Sequence, residues 1–131
     1  MKKISNKKLI NEWFALAGDD ELSGEAILKE QAAPRTLCFL SEQMAEKYLK
    51  AMLVFFGVKI EKTHDLMRLT DLISLKLSGI EKYRRDLAFL NRFYIGTRYP
   101  GGVEGFSWPE AEKAFGIAKS VKNFVFKVVG L

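Results

Sequence analysis

The chain has 131 residues, of which 48% are hydrophobic, and its 21 basic and 16 acidic side chains give a net charge of +5. This length predicts a single domain over residues 1–131, and this hydrophobic content excludes a disordered chain. The charge is compatible with a phosphate-bearing ligand but does not require one, because many soluble proteins carry such a charge for solubility alone.

One cysteine, Cys38, excludes an intrachain disulfide and fits a reducing cytoplasm. Cys38 lies in an apolar run over residues 37–40, which favours a core residue over a reactive thiol. The longest uninterrupted apolar stretch, residues 51–56, is far shorter than the ~20 residues that span a bilayer. The sequence therefore predicts a cytoplasmic protein that does not act at a membrane.

The first two predicted helices span about residues 6–30 and 35–56, with Pro34 between them. The apolar stripe of the first consists of Ile10, Trp13, Ala17, Gly24, Ile27 and Leu28. The second is apolar around most of its circumference, which is typical of a helix at the centre of a bundle. Gly57 stands where a glycine commonly ends a helix.

Three further helices follow. A short one extends from about residue 64 or 65 to 76, with Thr63 or Asp65 as its cap, and a longer one covers residues 80–94. The last begins at Ser107, because Ser107 and Glu110 form a capping box. No segment alternates with period two. The sequence therefore predicts an all-α, up-and-down helical bundle of four main helices plus one short helix.

Common catalytic arrangements are absent from the sequence. There is no glycine-rich phosphate loop, and one His with one Cys cannot form a Cys/His zinc cluster. A Ser-His-Asp set could be built only on His64, and no spacing supports it. The sequence predicts no catalytic residue, no metal and no cofactor.

A polar stripe runs along the apolar second helix, with Glu42, Glu46 and Lys50 at four-residue steps and Gln43 and Lys47 beside it. One interpretation makes it the solvent edge of the helix, with a Glu46–Lys50 ion pair worth about 0.3 kcal/mol. The other makes it the polar wall of a cleft. The sequence alone does not decide between them.

A second polar feature is the segment KTHDL at residues 62–66. His64 is the one side chain expected to titrate near neutrality. In one interpretation Thr63 and Asp65 start a helix and His64 packs or caps there. In the other, His64 and Lys62 contribute to a phosphate or partner site.

A third feature is Arg98 and Tyr99, which stand directly before Pro100, Gly101 and Gly102 at the end of the fourth predicted helix. Arg98 could bind a carboxylate or the terminal carbonyl groups of that helix. Alternatively, both side chains are displayed for a ligand, since the guanidinium fork matches phosphate and a tyrosine ring can stack on a base.

The runs FLSEQMAEKYLKA at 39–51, KTHDL at 62–66 and TRYP at 97–100 resemble, in this order, the HEPN domain (higher eukaryotes and prokaryotes nucleotide-binding). Residues 17–28, with Asp20 and Leu22, fit the first helix of that family. The resemblance implies a bundle of four to five helices, often a homodimer. It also implies nucleotide or RNA binding and, in prokaryotes, pairing with a minimal nucleotidyltransferase in a toxin–antitoxin-like system.

A major branch of the family consists of metal-independent RNases that carry an Arg followed four to six residues later by His. No His follows Arg98 in this chain, and His64 lies 34 positions before it. That mechanism needs an imidazole to move a proton, so the sequence does not support it. The Arg-Tyr-Pro form resembles instead the branch that is associated with nucleotidyltransferases.

The sequence thus predicts a non-catalytic HEPN-domain protein that binds a nucleotide or RNA and pairs with a minimal nucleotidyltransferase. The predicted binding residues are Arg98, Tyr99, His64, Asp65, Lys47, Lys50 and Glu46. The alternatives are a metal-independent RNase toxin with an atypical site and a purely structural or oligomerising bundle. A symmetric homodimer is predicted from the apolar surface contributed by Phe55, Phe56, Phe124 and Phe126.

Overall fold

The computed structural model describes residues 2–97, 99–100 and 106–130. Its α-helices are α1 (Lys2–Glu30), α2 (Pro34–Phe55), α3 (Leu66–Ser74), α4 (Arg84–Asn91), α5 (Phe93–Gly96) and α6 (Trp108–Val129), and a 3-10 helix (Ser78–Tyr83) precedes α4. No strand occurs within these ranges, and the predicted all-α bundle is confirmed.

Helix α2 lies at the centre of the bundle, as its apolar circumference predicts. It contacts α1, α3, α4, α5 and α6. Cys38 on α2 is fully buried, which confirms the predicted core position. Burial raises the pKa of its thiol to about 11, so Cys38 stays protonated and unreactive at neutral pH.

The ring of Phe115 on α6 packs against the backbone of α1 at Gly24, where there is no side chain. A Cβ atom at Gly24 would lie 2.7 Å from the ring of Phe115 and 3.2 Å from Leu37. Beside this contact, the ion pair between Lys122 and Glu21 joins the two helices at 2.8 Å. The apolar stripe of α1 thus faces the core along α2, with its glycine at the tightest point.

Three helix ends that were predicted from capping residues are confirmed: the start of α6, the start of α3 and the end of α2. Ser107 Oγ accepts a hydrogen bond from the Glu110 backbone N–H at 3.3 Å, and Asp65 caps α3 by accepting from Met67 N–H at 2.9 Å. Gly57 adopts a left-handed φ of 71° directly after α2. These three ends fix where the connecting segments leave the bundle.

The single helix predicted over residues 80–94 is wrong. The segment consists of the 3-10 helix, α4 and α5, with a break at Arg92. Asn91, just before the break, accepts a hydrogen bond from Leu66 N–H and donates one to Asp65 Oδ1, while Phe93, just after it, is fully buried. Tertiary contacts on both sides therefore override the continuous helical spacing.

No helix in the described part of the chain is both long enough and apolar enough to cross a membrane.

Candidate functional site

The polar stripe of α2 is buried, so its interpretation as a solvent edge is wrong. The side chains of Glu46 and Lys50 are only 5% and 7% exposed, and their ion pair measures 3.0 Å from Nζ to Oε2. Trp13 of α1 covers Lys50, whose Nζ lies 5.5 Å from the centre of the indole ring. Glu46 and Lys50 are therefore buried inside the bundle, where α1 covers them on one side, and the interpretation of the stripe as a cleft wall stays a prediction.

His64 also hydrogen-bonds to the carboxylate of Glu46. Its Nδ1 lies 3.0 Å and 3.2 Å from the two carboxylate oxygens of Glu46, and its ring stacks on Tyr94 with centres 4.5 Å apart and planes tilted by 17°. A carboxylate can only accept here, so Nδ1 carries the proton. Nε2 then points away from α2. Glu46 therefore sets the tautomer of the imidazole, and Glu46 and Tyr94 together hold the ring in position.

An open groove of about 440 Å³ lies in front of this imidazole. It is lined by Lys62, Thr63, His64, Asp65, Asn91, Tyr94 and Ile95. This volume falls within the range of small-molecule sites, ~300–1,000 Å³. The side chain of His64 is 48% exposed in the groove although its partner Glu46 is buried. The groove thus presents the imidazole of His64, against which Tyr94 is stacked.

Hydrogen bonds hold the two walls of the groove together. Asn91 on α4 binds the start of α3 through Leu66 N–H at 2.8 Å and Asp65 Oδ1 at 3.0 Å. The loop that carries His64 is also closed by Arg68, which donates two hydrogen bonds to Glu61 at 2.7 Å and 3.1 Å. These hydrogen bonds fix the start of α3 against α4 and close the loop of His64.

Lys47 forms an ion pair with Asp20 of α1. Its Nζ lies 2.6 Å from Asp20 Oδ2 on α1, and both side chains are largely buried. Burial raises the pKa of the Asp20 carboxyl, although the hydrogen bond from Lys47 acts in the opposite direction. The charge of Lys47 is thus neutralised beside α1. Within the described residues that line the groove, neither Lys47 nor Lys50 occurs.

The structure brings together three of the predicted binding residues, Glu46, Lys50 and His64, and it places Asp65 in the groove beside His64. Arg98 and the segment 101–105 lie outside the described residues. Tyr99 is 58% exposed, and the binding role predicted for it stays a prediction.

Three groove residues, Asn91, Tyr94 and Ile95, were not predicted as site residues from the sequence. Tyr94 is the last residue of the helix predicted over residues 80–94, where it recurs with apolar residues at three- and four-residue steps. The spacing of Asn91 and Tyr94 carried the missing signal, since residues i and i+3 lie on one side of a helix. An Asn and a Tyr at that spacing pair a hydrogen-bonding amide with a stacking ring.

The described residues contain no group of three or more His, Cys, Asp or Glu side chains arranged to hold a metal ion.

Comparison with known proteins agrees with this architecture. The family model for the HEPN domain matches residues 11–128, and the chain belongs to the HEPN domain family. It is also similar in structure to ST0689, an archaeal HEPN homologue solved by crystallography, with a TM-score of 0.73 and 23% sequence identity. That similarity covers 92% of this chain and 97% of the archaeal one, and it shows the shared fold. No curated protein matches the chain.

Proposed function

We propose that this HEPN-domain protein is a non-catalytic, cytoplasmic partner of a minimal nucleotidyltransferase and binds a nucleotide or RNA in the groove in front of His64. The observation that carries the proposal is the fixed imidazole of His64, held by Glu46 on one side and by Tyr94 on one face. A ring held in this way loses little entropy when a base stacks on its other face.

The groove also supplies groups that match the rest of a nucleotide. Lys62 is an exposed cation on the wall that carries His64, and when His64 is protonated its Nε2 is a second donor for phosphate. Asp65 uses Oδ1 for the Met67 and Asn91 hydrogen bonds, and its carboxylate can also accept from a ribose hydroxyl. Stacking, phosphate and ribose contacts are thus available within one pocket.

The proposed pairing with a nucleotidyltransferase draws on the resemblance of TRYP at 97–100 to the branch of the family that is associated with such enzymes. The proposed cytoplasmic location draws on the single cysteine, which is buried and free. The pairing is tested by co-expressing the chain with a nucleotidyltransferase encoded beside it. Isolation of both proteins in one complex would support the pairing. The absence of such a neighbour, or of a complex, would remove the toxin–antitoxin-like assignment without affecting the groove.

Nucleotide binding is tested by calorimetric titration of AMP, UMP and ATP. We expect His64→Ala to weaken binding at least tenfold and Lys62→Ala to weaken it less, because Lys62 contributes charge but no fixed geometry. Lys127→Ala on α6 is the matched control, since it removes an exposed lysine outside the groove. Binding that is absent, or that is unchanged in His64→Ala, would favour the purely structural bundle.

One observation favours RNase activity as a second candidate. A carboxylate that holds Nδ1 and leaves Nε2 free is the arrangement that orients an imidazole as a general base. Incubation of the purified protein with RNA in the presence of a chelator separates the candidates. The binding proposal expects no cleavage. Specific cleavage that disappears in His64→Ala would establish the atypical RNase.

A further inference from the structure

A second surface lies on the opposite side of α4 and α5 from the groove. Three phenylalanine rings form a continuous row there, because Phe89 and Phe93 contact edge to face with centres 5.3 Å apart and Phe93 and Phe106 are 6.1 Å apart. Phe93 is fully buried, and the two outer rings are half-buried. The row is therefore anchored in the core and reaches the surface at both ends.

Each ring of the row carries a cation. The Arg92 guanidinium lies 4.7 Å and 5.0 Å from the ring centres on α4 and α5, and Lys113 Nζ lies 4.3 Å from the α4 ring. Arg35 Cζ lies 4.6 Å from the centre of the third ring, before α6. We call the three cations and three rings the cation–aromatic strip. Its long side chains lie against the rings and so have little rotamer freedom left to lose.

The charges along the strip are not all neutralised. Arg92 pairs with Glu110 at 2.6 Å. In the ranges that the structure describes, Arg35 and Lys113 have no carboxylate within ion-pair distance, and both are exposed. Among the described residues, the strip therefore offers at its ends two cations without a carboxylate partner, of which Arg35 also donates a hydrogen bond to the Thr97 backbone oxygen at 3.4 Å, and a planar guanidinium between them.

The strip and the groove share the same two short helices. Asn91, Tyr94 and Ile95 face the groove, while Arg92 and Phe93 belong to the strip. Ile95 is 62% exposed. The groove and the strip therefore lie on different sides of the same two helices, with Ile95 on the groove side.

We propose that the ligand is a single-stranded RNA of several nucleotides, with one nucleotide in the groove and the following ones along the cation–aromatic strip. This inference rests on the proposed function and extends it. A mononucleotide of the size that fills the groove leaves the strip empty. Guanidinium planes on which bases stack, alternating with cations for phosphates, are typical of surfaces that bind single strands.

The test compares UMP, measured by calorimetry, with a fluorescein-labelled octauridylate, measured by anisotropy. We expect the octamer to bind at least tenfold more tightly than UMP. The double change Arg35→Ala with Lys113→Ala should weaken octamer binding at least tenfold and leave UMP binding within twofold. Because each phosphate contact to a single strand contributes about 0.7 to the slope of log K against log salt, losing two should lower that slope by about 1.4.

Lys76→Ala with Lys127→Ala is the matched control, since it removes two exposed lysines outside the strip. A charge reversal, Lys113→Glu, gives a second variant with a single surface change, and it should weaken octamer binding further than removal of Lys113 alone. His64→Ala should weaken both ligands.

Several results would overturn the inference. If the octamer binds no more tightly than UMP, or if the strip variants behave like the lysine control, the inference fails while His64-dependent UMP binding still supports the proposed function. Equal weakening of UMP and octamer by the strip variants would also contradict it, because the strip would then not be a separate contact. Failure of both ligands to bind would refute the proposed function and this inference with it.

Discussion

Glu46 is the residue on which the groove depends. Its buried carboxylate accepts from Lys50 and from His64, so removing its charge leaves the Lys50 ammonium buried without a counter-charge. Breaking a buried pair from one side costs about 3–5 kcal/mol. We therefore expect Glu46→Gln to lower the free energy of unfolding by about 3 kcal/mol, measured by urea denaturation.

The exposed pair of Glu61 and Arg68 provides the control for Glu46. Its hydrogen bonds are as short, at 2.7 Å and 3.1 Å, but both side chains are nearly half exposed. Solvent screens such a pair, so Glu61→Gln should change stability far less than Glu46→Gln. Equal losses for the two variants would show that the burial of Glu46 has no energetic consequence.

Asp20 gives a pH dependence with a defined sign. Burial raises the pKa of its carboxyl above the ordinary value, so the folded protein holds this proton at higher pH than the unfolded chain. Asp20 therefore contributes stability below its unfolded-state pKa, and this contribution is lost as pH rises through its folded-state pKa. The free energy of unfolding of the wild type minus that of Asp20→Asn should decrease from pH 3 to pH 7. A constant or rising difference would contradict the prediction.

Measuring the stability and the ligand affinity of the same variants shows whether Arg98 binds a phosphate or ends a helix. If it binds a phosphate, Arg98→Ala should cost at most about 1 kcal/mol of stability and weaken binding by roughly 1.5–3 kcal/mol. Arg98→Lys should recover only part of that loss, since Lys lacks the planar fork. A thermal melt and a UMP titration on each variant measure both effects. Clear destabilisation with unchanged affinity would mean that Arg98 ends a helix instead.

At the level of elements, α1 and α2 end in the same way but with different residues. The chain turns through Gly57 after α2, with a φ of 71°, and through Gln31 after α1, with a φ of 53°. Backbone hydrogen bonds from Gln31 to Leu28 and from Ala32 to Ile27 complete the turn. A side chain in this conformation costs about 1–2 kcal/mol, which glycine avoids.

Gln31→Gly should therefore raise the free energy of unfolding by about 0.5–1 kcal/mol, because the greater freedom of glycine in the unfolded chain offsets part of the gain. Gln31→Ala is the matched control. It keeps the strained backbone and loses the hydrogen bond from Gln31 Nε2 to Leu28 O, so it should bring no gain. Denaturation of the three proteins by urea measures both effects, and equal stability of the Gly and Ala variants would contradict the argument.

The sequence predicted those elements whose information is local. The cap at Ser107, the stop at Gly57 and the central position of α2 each follow from neighbouring residues, and all three are confirmed. The break at Arg92 was missed because it depends on Asn91 and Phe93 contacting distant parts of the chain. Local spacing cannot report such contacts.

In the candidate site, too, the features set by neighbouring residues were predictable and those set by distant contacts were not. The polar stripe with Glu46 was recognised on α2, but its burial depends on α1 and on the loop of His64. His64 lies 18 residues after Glu46, and the intervening turn at Gly57 and loop decide whether the two side chains meet. Tyr94 joins them from a third segment. The sequence therefore predicted that Glu46 and His64 are candidate site residues. It could not predict that they meet each other and Tyr94, because that depends on how the three segments pack.

At the scale of the whole molecule, the phenylalanines that suggested a homodimer have partly different roles. Phe56, Phe124 and Phe126 pack against the core of the single chain, and Phe55 is 41% exposed. Three of the seven large hydrophobic side chains that are exposed in the described part of the chain lie on α1, more than on any other helix. Leu9 and Leu16, 41% and 49% exposed, are two turns apart and so lie on one side of that helix.

We expect a symmetric homodimer that pairs this side of α1 with its copy, since a two-fold interface needs a self-complementary patch. Light scattering at micromolar concentration should give twice the chain mass of 14.9 kDa. Leu9→Glu with Leu16→Glu should give the monomer mass, because two like-charged patches would face each other. Leu75→Glu, at a side chain 80% exposed beyond α3, is the control and should leave the dimer intact. A wild-type mass of 14.9 kDa, or dissociation by Leu75→Glu as well, would exclude this α1 interface.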